Sequence, residues 1–134
     1  MSLGLGYRHL KDDWGGKQTA LGNYTYDRVS EYFYLSTGLT RITSSQPNFS
    51  IHYRHLIRGK QTSYLQFLHG YTNTTNSQKT GFGFMAEYYL KNNLSLCIDY
   101  WSIEKSDNDQ QGQGIYEPSN YTAQIGFRYQ LLLE

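Results

Sequence analysis

Cysteine is almost missing from these 134 residues: Cys97 stands alone. A single thiol excludes an intrachain disulfide and the four-cysteine zinc patterns. Alanine, the best helix former, occurs only three times, and no long stripe of period 3.6 runs through the chain. Charge of one sign is also lacking. The net charge is +1, with no basic or acidic run, so the chain carries no electrostatic footprint for nucleic acid or for an anionic membrane surface. No apolar run approaches the ~18 residues of a transmembrane helix. That absence does not bear on a membrane β-barrel, whose hydropathy signal is weak in each segment. Met1-Ser2-Leu3 leads straight into patterned sequence with no leader-like segment. This start, with Leu133-Glu134 at the other end, reads as cloning additions around an excised single domain, 1–134.

What is present is aromatic and glycine-rich. Tyr occurs 14 times and Gly 13 times, and aromatics make up 16% of the chain, which is too many for a disordered segment. Tyr, Phe, Thr and Ile suit a pleated, half-buried surface. Period-2 alternation dominates, and it predicts about eight strands near 3–10, 18–26, 31–42, 49–57, 61–71, 80–90, 94–104 and 120–132. The alternation is cleanest in 49–57, where Phe49, Ile51, Tyr53, His55 and Ile57 oppose Ser50, His52, Arg54 and Leu56. Turn chemistry is read at 12–16, at 27–30, at 44–48, at Arg58-Gly59-Lys60 and at Lys91-Asn92-Asn93; 72–78 and 105–119 read as polar loops.

These strands are roughly ten residues long, against about five or six in ordinary globular sheets. A strand tilted across a bilayer needs about 9–11 residues. Short connections at Arg58 and Lys91 alternate with long ones at Thr72 and Lys105. Short turns at one end and longer loops at the other mark outer-membrane-type barrels. Arg54, Glu87, Asp99 and Arg128 alternate with apolar residues inside strands. They would face water in a soluble sandwich, and would line the lumen in pairs in a small membrane barrel. Period 2 establishes the alternation and leaves open which face is turned inward.

Several segments carry a resemblance. They are Gly4-Leu5-Gly6-Tyr7-Arg8, Tyr26-Asp27-Arg28 leading into Glu31-Tyr32-Phe33-Tyr34, Arg58 to Leu65, Tyr100 to Glu104, and Tyr116 to Thr122. In these the chain resembles a group of Gram-negative outer-membrane β-barrel proteins without an assigned reaction. The resemblance implies a surface barrel whose natural members carry a signal peptide and further strands upstream. Such barrels usually end on an aromatic residue; here Tyr129 is followed by Gln130-Leu131-Leu132-Leu133-Glu134, a departure from the pattern.

Candidate chemistry is sparse. His52 and His55, three apart on a strand, point to opposite faces and do not make a shared metal site. No metal or cofactor is expected. Ser50 and His52 share a face, and Asp99 or Glu87 could complete a nucleophile–base–carboxylate trio across a barrel; no signature surrounds them. Gly81 and Gly83 are in a strand and precede no helix, so they are read as room for a bulky neighbour such as Trp101 or Tyr64, not as a nucleotide loop. Asp107 and Asp109 lack the spacing of a calcium loop.

The expectation is therefore an all-β, antiparallel up-and-down barrel of about eight strands in a bacterial outer membrane. Its role would be structural or interactive, with outer-membrane lipid as partner and loops 72–78 and 105–119 as an extracellular binding surface. A soluble lipocalin-like ligand-binding barrel and a rim-located hydrolase acting on lipid or peptide are the alternatives.

Overall fold

The computed structural model describes residues 1–13, 26–43, 46–65, 72–90, 93–108, 112 and 114–129. Among these the chain is all-β, with no helix, in one antiparallel sheet. The strands are β1 (Ser2–Asp12), β2 (Asp27–Thr43), β3 (Gln46–Tyr64), β4 (Thr74–Gln78), β5 (Gly81–Tyr89), β6 (Leu94–Ile103) and β7 (Asn120–Tyr129). Their order is β1-β2-β3-β5-β6-β7, with β4 paired to β3 beyond the end of β5. Each strand thus lies beside its sequence neighbour, an up-and-down order. β4 and β5 keep the same register against β3, from Ser63↔Thr74 through Gly59↔Gln78 to His55↔Phe82 and Phe49↔Tyr88. They act as one strand broken at Lys79 and Thr80. β1 and β7 form the two ends of the path.

Four local expectations are corrected. Residues 27–30 are not a turn but the start of β2, paired on both sides: Ser30 opposes Leu10 of β1 and Gln61 of β3. Two ladders and the Arg28–Asp12 ion pair at 2.7 Å outweigh the turn composition. Arg58-Gly59-Lys60 is not a turn either; the expected fourth and fifth strands are one strand, β3. Gly59 is there for close approach, because a Cβ would stand 2.9 Å from Cδ1 of Tyr32 and 3.0 Å from Cβ of Gln78. A bulge at this level, between Phe33/Tyr34 on β2 and Arg58/Leu56 on β3, shifts the register by one residue. Residues 74–78, read as part of a polar loop, form β4, and Thr74, Asn76 and Gln78 are fully buried. Gln46 to Asn48 likewise belong to β3. The expected strand at 18–26 lies outside the described residues apart from Tyr26, as does the upper part of the one at 61–71.

The connections still alternate, at shifted places. At one end, residues 44–45 and 90–93 link neighbouring strands; there Leu90 N donates to Leu94 O at 2.9 Å and Asn93 takes a left-handed φ of 61°. At the other end the connections are 13–26, 65–73 and 104–119. β1 begins and β7 ends at the short-turn end.

Candidate functional site

The pairing register sorts the side chains into two faces. Across the ladders, one face carries the rows Leu5–Leu35–His55–Phe82–Ser102–Tyr121, Leu3–Thr37–Tyr53–Phe84–Tyr100–Ala123, Leu39–Ile51–Ala86–Ile98–Ile125 and Arg41–Phe49–Tyr88–Leu96–Phe127. This face is apolar and open: Leu5 is 81% exposed, Ile51 51%, Ile98 47% and Ile125 77%. The opposite face is largely polar and turned inward. Its small apolar core of Tyr32, Leu56, Trp101 and Ile103, with Leu10 and Tyr34 against it, sits at mid-height. Gly83 opposes Trp101 across β5 and β6, and a Cβ there would lie 2.9 Å from the indole Cδ2. Tyr64, the other neighbour considered for this space, is exposed at the end of β3.

Below that core lies a charged network on β3, β5, β6 and β7. Arg54 donates from Nη1 to both Asp99 oxygens at 2.9 and 3.1 Å, and its Nη2 meets Met85 Sδ at 2.9 Å. The guanidinium also stands over Trp101 and Tyr34, 5.4 and 5.5 Å from the ring centres. Arg8 of β1 covers Trp101 as well, at 5.1 Å, so the sheet curls far enough for its first strand to reach β6. One step lower, the buried Glu87 accepts from Arg128 Nη1 at 3.0 Å and from Ser95 Oγ at 2.5 Å, with the Cys97 thiol 3.7 Å away. Arg54, Glu87, Asp99 and Arg128 are thereby brought together as two cross-strand ion pairs. A buried ionised group is tolerated when paired and hydrogen-bonded in this way.

Above the core, toward the long connections, the side chains that β3 and β4 turn inward are uncharged and polar: Gln61, Ser63, Thr74, Asn76 and Gln78 are each at most 2% exposed. Ser30 Oγ donates to Gln61 Oε1 at 3.1 Å, and Ser63 Oγ donates to the buried Glu117 at 2.6 Å. Asn76 Nδ2 donates to the carbonyls of Asp107 and Ile115 at 3.1 and 2.9 Å, tying the 104–119 connection to β4. Tyr26, at the mouth of this end, has its phenol pKa raised by burial and then by the Glu117 carboxylate, against the opposing pull of Arg28.

The three candidate catalytic residues do not assemble. Ser50 is buried and its Oγ has no hydrogen-bond partner among the described residues; its direct neighbours across the ladders are Thr40 and Glu87. His52 lies on the same face, with its ring packed over Gly38. Both Asp99 oxygens are held by Arg54. A serine without a base in hydrogen-bond contact is not an activated nucleophile. His55 lies on the exposed face, apart from His52, and among the described residues no group of three or more His, Cys, Asp or Glu is arranged to hold a metal ion.

Arg8, Ser95, Met85 and Glu117 were not singled out from the sequence. Arg8 could have been, since its parity on β1 opposes Leu5 and Tyr7. Glu117 could not, because it sits in an irregular segment whose packing no periodicity encodes. Comparison with protein-family models found no match, and comparisons with curated proteins and with solved structures gave none either.

Proposed function

We propose that this chain forms the wall of an outer-membrane-type β-barrel with a structural or surface-interaction role in a bacterial outer membrane. The observation that carries the reading is the sense of the two faces. Four successive rows of exposed side chains across the ladders hold Leu, Ile, Phe, Tyr and Ala almost throughout, while the ion pairs Arg54–Asp99 and Arg128–Glu87 point inward. A soluble ligand-binding barrel of the lipocalin type requires the reverse, with apolar side chains inside and polar ones toward water. Exposed apolar area on this scale calls for a cover, and lipid is the cover that matches a face without backbone gaps.

The apolar positions of β7 run from Tyr121 to Tyr129, nine residues, which agrees with the roughly 9–11 needed by a tilted spanning strand. Tyr121 and Tyr129, exposed toward the two ends of β7, stand where amphipathic rings meet the lipid–water boundary. In this reading the long-connection end faces the cell exterior, as the longer loops do in outer-membrane barrels. On that side the 105–119 segment is the surface offered to an extracellular ligand; 72–78 is not, because β4 buries every second side chain.

The test is circular dichroism of the purified chain in buffer and in detergent micelles. A sheet spectrum that appears only with micelles supports the reading. A monodisperse, folded monomer in plain buffer overturns it.

A further inference from the structure

We propose that the exposed face carries a site for the terminal phosphate headgroup of an anionic lipid, centred on Arg58 and completed by Lys60. This rests on the membrane reading above. The bulge between β2 and β3 creates the site. Phe33 pairs with Arg58 and Tyr34 with Leu56, so Ile57 is the extra residue, and Ile57 and Arg58 are both exposed. Gly59 faces inward against Tyr32, and Lys60 returns to the outer face opposite Glu31 and Ser77. Arg58 thus stands one row above the apolar rows, level with Tyr7 and Phe33, and Lys60 stands one row higher, level with His9 and Glu31. An apolar side chain and a guanidinium are set side by side at the upper margin of the apolar band.

The charges at this level select the ligand. Glu31 accepts from the Tyr7 hydroxyl at 2.8 Å and stands 3.9 Å from Lys60 Nζ, while Asp107 holds Lys79 at 2.6 Å. Arg58 and its partner on β2 are both described, and among the described residues none gives the Arg58 guanidinium a hydrogen bond or an ion pair. The Lys60–Glu31 contact is long and the lysine side chain is 49% exposed, so its ammonium is available to a second anion. Forked guanidinium donors match phosphate oxygens, and an ammonium two residues along the same face adds a point charge. A terminal phosphate brings about two negative charges to them, against one for a diester. A zwitterionic headgroup would set its own ammonium against Lys60. Below the site, Phe33, Leu35, Ile57 and Phe82 are 53%, 39%, 55% and 38% exposed and form an apolar floor for the acyl chains.

The experiment is native mass spectrometry of the protein in detergent micelles supplied with equal amounts of phosphatidic acid, phosphatidylglycerol and phosphatidylcholine. The sheet spectrum is recorded on the same samples. A charge-assisted phosphate contact should favour phosphatidic acid over phosphatidylcholine by roughly tenfold, with phosphatidylglycerol between them. Arg58→Gln should abolish that preference, Lys60→Gln should reduce it, and Arg41→Gln, near the short-turn end of the same face, should leave it unchanged. Equal retention of all the lipids by the folded wild type overturns the site and leaves the membrane reading intact. So does a loss with Arg41→Gln equal to that with Arg58→Gln, which would mark diffuse charge attraction. Phosphatidylglycerol held as well as phosphatidic acid overturns the choice of a terminal phosphate. A folded monomer in plain buffer overturns the membrane reading and the site with it.

Discussion

Replacing Arg54 by Met should destabilise the fold far more than replacing Arg54 and Asp99 together. The Arg54 side chain is 11% exposed and that of Asp99 31%. Removing the cation leaves a carboxylate without its two hydrogen bonds, and strips one cation from the Trp101 and Tyr34 rings. Breaking a fully buried pair costs about 3–5 kcal/mol. Asp99 keeps some access to solvent, which lowers the figure, and the lost cation–π contact adds ~0.5–1 kcal/mol. The net expectation is about 2–3 kcal/mol. With urea slopes of about 1–3 kcal/mol/M, the midpoint should fall by roughly 1–2 M. The double variant Arg54→Met, Asp99→Leu should recover most of that loss, because no buried charge is then left alone. The assay is equilibrium urea unfolding in micelles, followed by far-ultraviolet circular dichroism. A single variant within about 0.5 kcal/mol of wild type, the range of ordinary surface changes, would refute the inward placement of this pair. So would a double variant as damaged as the single one.

Other consequences are as direct. Ile51→Arg, at the middle of the apolar face, should cost about 2–4 kcal/mol in a lipid environment, whereas a water-facing site would register within about 0.5 kcal/mol; refolding yield into vesicles and urea titration both read it. Gly83→Val should cost about 1–3 kcal/mol, since the added carbons meet the Trp101 ring and the Tyr100 carbonyl, and the near-ultraviolet dichroism of Trp101 should weaken with it. The Tyr26 phenol is held above its ordinary value of 10.0, so its contribution to stability is fully present below that value and declines as pH rises through the folded one. Tyr26→Phe should therefore be more resistant than wild type to unfolding above about pH 10. An unchanged alkaline limb would show that Tyr26 is not buried beside Glu117.

Strand existence was legible wherever alternation was strict, and least where turn-forming residues sat inside long strands. Phe49 to Ile57, Gly81 to Tyr89, Leu94 to Ile103 and Asn120 to Tyr129 show their two faces in the bare sequence. Asp27 to Ser30 and Arg58-Gly59-Lys60 have the composition of turns, yet pairing on both sides overrides local preference. Gly59 illustrates the ambiguity: the same residue that permits a tight turn also permits a close approach, here to Tyr32. The bulge at this level compounds the difficulty. It moves the inward positions of β3 from Arg54 and Leu56 to Gln61 and Ser63, so a single period-2 pattern cannot run through the whole strand. The pairing partners of Arg54, Glu87, Asp99 and Arg128 were beyond reach for a different reason. Parity assigns a side chain to a face, and only the register across β3, β5, β6 and β7 decides which of two cations meets which carboxylate.

The orientation of the two faces is the centre of the account, and spin-label accessibility along β6 tests it most directly. Nitroxides placed one at a time at residues 95–100, in a Cys97→Ser background, would be measured in lipid bilayers against oxygen and a water-soluble nickel reagent. The account predicts a period of two, with oxygen favoured at Leu96, Ile98 and Tyr100 and disfavoured at 95, 97 and Asp99. Nickel access highest at Leu96, Ile98 and Tyr100 would mean that the apolar face meets water, and would contradict it.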